Sequence, residues 1–145
     1  MVSLDDPEAI PGISIKKVIE SFLNSLSTRY VFLIDVEGAG SYNMLQDEEF
    51  PLLPISKLLD YLPQVSQFNW VDFYFLKTFI TEYEDFLKLD HYEKIAASET
   101  TVRAIDQSYI YVYTPYKEVA ERVKTCGFKI DSIKEGELTS LDYPF

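Results

Sequence analysis

Residues 30–36 read YVFLIDV and are apolar on both parities: Tyr30, Phe32 and Ile34 on one, Val31 and Leu33 on the other. A strand sends successive side chains to opposite faces, so this run needs cover on both sides. That demand selects a layered fold, with a sheet in the middle and material packed against each face.

The rest of the chain supplies the layers. In ISIKKVIESFLNSL the apolar residues Ile15, Val18, Ile19, Phe22, Leu23 and Leu26 recur at helical spacing and make one buried stripe. Pro54 suits a first helical turn, and Ile55, Leu58, Leu59 and Leu62 follow as a short amphipathic helix. FNWVDFYFLK, residues 68–77, reads as a strand. TEYE, from Thr81 to Glu84, has the pattern of a capping box and opens a third helix through Phe86, Leu87 and Ile95. TTVRAI and SYIYVYT are strands of a hairpin turning at Asp106 and Gln107. Thr114 and Pro115 open a last helix with Val119, Ala120 and Val123 inside, ended by a left-handed Gly127. FKIDSI is a final strand.

The order α-β-α-β-α-β-β-α-β predicts an α+β or mixed α/β fold. It has a single mixed sheet of about five strands packed with three to four helices. Residues 1–145 read as one globular domain, with an irregular N-terminal segment at 1–12 and a C-terminal tail at 135–145.

Hydrophobic content of 47% suffices for a core. No apolar run approaches the roughly 20 residues that span a bilayer. MVSLDDPEAIPG is acidic and lacks the basic and apolar regions of a signal peptide, and Cys126 has no second cysteine to pair with. These features point to the cytoplasm and away from a membrane. The net charge is −11. Such a chain is repelled by phosphate backbones, so direct nucleic-acid binding through a basic surface is disfavoured, whereas a basic protein partner is favoured.

Chemistry-bearing patterns are few. Asp35 and Glu37 end the first strand two residues apart, which places both on one face about 7 Å apart. At an effective dielectric of ~20 they repel by roughly 2.4 kcal/mol, which a divalent cation or exposure to solvent would relieve. With Asp72 as a third carboxylate they form the candidate catalytic set of a small metal-dependent hydrolase or phosphodiesterase. The preferred reading is a strand leaving the core, with Gly38 and Gly40 supplying a bend and no metal or cofactor bound. One histidine and one cysteine are too few for a typical zinc site. Lone His91 on a helical face reads as a boundary residue, and Cys126 before Gly127 as a small buried one. No phosphate-binding GxxxxGK[ST] occurs.

Two strands carry a second aromatic face. In FNWVDFYFL, Val71, Phe73 and Phe75 share one parity, and Phe68, Trp70, Asp72 and Tyr74 the other. In YIYVY, Ile110 and Val112 oppose Tyr109, Tyr111 and Tyr113. Exposed aromatics among carboxylates would suit a basic partner. The first functional reading is therefore an acidic binding or inhibitor-type domain, of the kind a toxin-neutralising immunity protein exemplifies. Its candidate surface is Trp70, Asp72, Tyr74, Tyr109, Tyr111, Tyr113, Glu82, Glu84 and Asp85, with a further acidic cluster at Asp47, Glu48 and Glu49.

Overall fold

The computed structural model describes residues 1–6, 10–40, 52–77, 83–105, 108–139 and 142. Its strands are β1 (Val2–Asp5), β2 (Tyr30–Gly40), β3 (Leu52–Pro54), β4 (Val65–Leu76), β5 (Ser98–Ile105), β6 (Tyr109–Tyr113) and β7 (Lys129–Ile133). They form one seven-stranded sheet in the order β3-β2-β4-β5-β6-β1-β7. Every pairing is antiparallel.

The expected mixed sheet of about five strands is thus corrected in both size and direction. The extra strands are β1, inside the segment read as irregular, and β3, only three residues long. Neither is long enough to show a period of its own. Each is held by neighbours: β1 lies between β6 and β7, and β3 pairs with β2. The helices are α1 (Gly12–Phe22), α2 (Ile55–Tyr61), α3 (Tyr83–Leu87), α4 (His91–Ala96) and α5 (Lys117–Lys124). α1, α2 and α5 each join two strands that run parallel to one another but have one or three antiparallel strands inserted between them, so each makes a split β-α-β crossover.

The main core lies on one face of the sheet. Ile15, Val18, Ile19 and Phe22 of α1 pack with Val31 and Leu33, with Val71, Phe73 and Phe75, and with Val119 and Val123 of α5. Ile110 and Val112 belong to this core, as their parity predicts. A smaller cluster on the other face joins Phe32 and Tyr74 to Phe86, with Ile34, Leu89 and Ile95 against it. β2 is therefore covered on both faces, as its sequence demands.

Local chemistry sets the connections. The third helix is two helices, because Asp90 and Glu93 form a reciprocal capping box that starts a new helix at His91. Thr81 and Glu82 of the expected box lie outside the described residues, as do Asp106 and Gln107 of the expected hairpin turn. The last helix begins at Lys117 rather than Pro115, and Thr114 Oγ1 instead accepts from the Tyr116 N–H at 3.1 Å. Gly127 has the expected left-handed φ of 97°. Buried Glu99 accepts from the Ser27 and Thr28 N–H groups and the Ser27 hydroxyl, tying the α1–β2 connection to β5. Among the described residues no helix is long and apolar enough to cross a membrane.

Candidate functional site

The second sheet face is built in rungs. Cross-strand registry aligns Glu37, Trp70, Ile105 and Tyr109 in one, and Ile34, Asp72, Arg103 and Tyr111 in the next. Phe32, Tyr74, Thr101 and Tyr113 make the third. The rungs grade from covered to open. Phe32, Tyr74, Thr101 and Tyr113 are buried, and the Phe86 ring of α3 meets Tyr74 at 5.4 Å and Phe32 at 4.8 Å. At the other end Glu37 is exposed, Trp70 is half-buried and Tyr109 is 37% exposed.

Arg103 organises the middle rung. Its side chain is fully enclosed, and its Nε–H donates to Asp72 Oδ1 at 2.7 Å. Its guanidinium also lies over the Trp70 ring, 5.6 Å from the centroid. Nη1 and Nη2 have no hydrogen-bond partner among the described residues, and neither does the neighbouring Thr101 Oγ1. Burial pushes the Asp72 carboxyl above the usual carboxylate range, with Arg103 pulling the other way. Burial pulls the His91 imidazole below its ordinary value, and the Arg103 charge adds to this. The tyrosine rings continue the rungs outward, with Tyr111 stacked on Tyr113 at 6.4 Å and Tyr109 at 6.3 Å from Tyr111.

The open end is shaped by the first two of three register shifts between β2 and β4. β2 carries one extra residue against β4 between Ile34 and Glu37, and Asp35 there has φ of 56°. Asp is among the few residues that visit this left-handed region readily. The bulge breaks the simple alternation that placed Asp35 and Glu37 on one face. Both nonetheless border a shallow cavity of about 480 Å³, together with Val36 and Trp70. Neither carboxylate has an ion-pair partner among the described residues, and Asp35 is exposed like Glu37. The second register shift falls between Glu37 and Gly38, opposite Trp70 and Phe68. It sends Phe68 into the main core rather than the second aromatic face. Gly38 does not bend the chain away, since β2 runs on to Gly40. It permits close approach: a Cβ there would lie 2.2 Å from the Gln67 carbonyl oxygen.

Several candidate residues are consequently repositioned. Asp72, Tyr74 and Tyr113 are enclosed, so they support the surface from below rather than face a partner. Trp70, Tyr109 and Tyr111 keep partial exposure. Glu84 and Asp85 are exposed on α3, whereas Glu82 and the Asp47, Glu48, Glu49 cluster lie outside the described residues. Asp72 is engaged by Arg103 and does not join Asp35 and Glu37 in a common set. No group of three or more His, Cys, Asp or Glu among the described residues is arranged to hold a metal ion. Arg103 was absent from the sequence-derived candidates. The signal was one charge of opposite sign in each of the runs FNWVDFYFL and TTVRAI, but their registry was needed to pair them. No family model, no curated protein and no solved structure matches the chain.

Proposed function

We propose that the chain is an acidic binding domain that docks a basic protein by taking a lysine or arginine side chain at Trp70, between Asp35 and Glu37. The supporting observation is the shared cavity, in which a half-buried indole lies beside two exposed carboxylates that have no ion-pair partner among the described residues. A cation there gains from both charges and from the ring face. Arg103 under the ring and Asp72 behind Arg103 fix the indole, so less side-chain freedom is lost on docking. The net charge of −11 draws a basic partner in and speeds encounter.

Trp70 is the single tryptophan, so its emission reports this site alone. Titration with a short lysine- and arginine-rich peptide should change the emission saturably, and the change should weaken as salt rises. Asp35→Asn with Glu37→Gln should abolish it. An unchanged emission at millimolar peptide overturns the reading. Micromolar binding of Mg²⁺ or Mn²⁺ that disappears in Asp35→Asn would instead favour the metal-dependent hydrolase.

A further inference from the structure

β7 closes one end of the sheet order, and all five of its residues are exposed. Its outer side is a strand edge, with no strand beyond it among the described residues. An open edge is a template for another strand, and its own sequence says which one fits.

We propose that β7 pairs antiparallel with the β7 of a second copy, about a two-fold axis at Ile130. This goes beyond the docking of a basic partner and does not depend on it. The side chains carry the argument. Ile130 and Ile133 pair with Leu4 and Val2 of β1, both in the main core, so the two isoleucines project on the helix-bearing face. They can share that face because β7 carries one extra residue, Asp131, against β1. They remain 37% and 44% exposed.

A two-fold axis at Ile130 sets Ile130 against its own copy. Lys129 then falls opposite the second copy's Asp131, and this favourable pair occurs twice. The second copy's Ile133 falls beside Gly127, which precedes β7 and has no side chain, although the Lys17 ammonium lies 3.1 Å from where a Cβ would sit there. Gly127 borders a cavity of about 750 Å³ in which Ile13 and Phe128 lie among the charged side chains of Asp5, Asp6, Lys17, Glu20 and Lys129. Ile13 is itself 54% exposed and offers the incoming isoleucine an apolar contact there. Axes one residue away lose this match: an axis at Asp131 places that carboxylate on its own copy.

A five-residue edge is small beside the roughly 800 Å² per partner of a standard interface, so the self-association is weak and concentration-dependent. Sedimentation velocity up to about 1 mM chain, in about 0.3 M salt to screen the shared negative charge, is the test. A reversible monomer–dimer equilibrium is expected. Asp131→Lys and Lys129→Asp should each weaken it by roughly tenfold, and the double variant Lys129→Asp with Asp131→Lys should restore it. The two single changes move the net charge in opposite directions. General repulsion would therefore make one strengthen association and the other weaken it, and that result overturns the proposal. So does a chain that stays monomeric throughout, or a double variant that is not restored. Both side chains are exposed, and thermal melts of the three variants check that the fold is kept.

Discussion

Arg103 and Asp72 face each other across β5 and β4, with the Nε to Oδ1 distance at 2.7 Å and neither side chain open to solvent. A buried pair of this kind is costly to break, because the surviving charge loses its partner inside a low-dielectric layer. Arg103→Met and Asp72→Leu should each cost about 3–5 kcal/mol by urea unfolding, and the double variant should recover most of the loss. Costs that simply add would mean that the two charges are not coupled.

Close backbone approach gives a second prediction. A Cβ at Gly12 would lie 1.8 Å from the Leu62 carbonyl oxygen, and one at Gly38 would lie 2.2 Å from that of Gln67. Neither carbonyl belongs to a flexible side chain, so α1 or β2 must shift to admit alanine. Gly12→Ala and Gly38→Ala should each lower stability by about 2 kcal/mol or more, as overpacking does. Only Gly38→Ala should also move the Trp70 emission, since its bulge sets the neighbouring rung. Equal emission shifts in both variants would contradict that placement.

His91 predicts a pH dependence. Burial and the Arg103 charge hold its imidazole below the ordinary 6.5, so the folded chain binds the proton less readily than the unfolded one. Stability from this group is therefore complete above pH 6.5 and is lost as pH falls through the folded value. His91 is the only histidine. Melting temperatures between about pH 5 and 7.5 should fall toward acid in the native chain and fall less in His91→Gln. Parallel curves for the two proteins would show that His91 does not carry the slope.

Periodicity made the centre of this fold legible and left its margins hidden. β2 and β4 are long and apolar enough to announce themselves, and the parity of YIYVY placed Ile110 and Val112 in the core. β1 and β3 are strands only because longer neighbours pair with them. The break before His91 was written in the sequence as Asp90 and Glu93, but the continuous apolar spacing from Phe86 to Ile95 masked it. At the site, alternation placed Asp72 and Tyr74 on the second face but could not show that they are enclosed. Bulges changed the rest, because one extra residue moves Phe68 to the other face and turns Asp35 into the left-handed region. A period-two reading has no means of locating such an insertion.

Asp35 ties stability to the proposed docking. Its φ of 56° is a conformation that glycine adopts without steric cost, whereas aspartate reaches it against some strain. The side chain is exposed and makes no ion pair among the described residues, so its removal forfeits little packing. Asp35→Gly should therefore leave stability unchanged or raise it by up to about 1 kcal/mol, despite glycine's larger unfolded-state entropy. The same change removes one of the two carboxylates beside Trp70. Affinity for a basic peptide should fall about three- to tenfold, mainly through slower association. Asp35→Asn separates the two effects, because asparagine also tolerates the left-handed region but carries no charge. It should match the glycine variant in binding and the native chain in stability. A glycine variant that is clearly destabilised would show that the bulge depends on the aspartate side chain. Full affinity in both variants would remove Asp35 from the docking site.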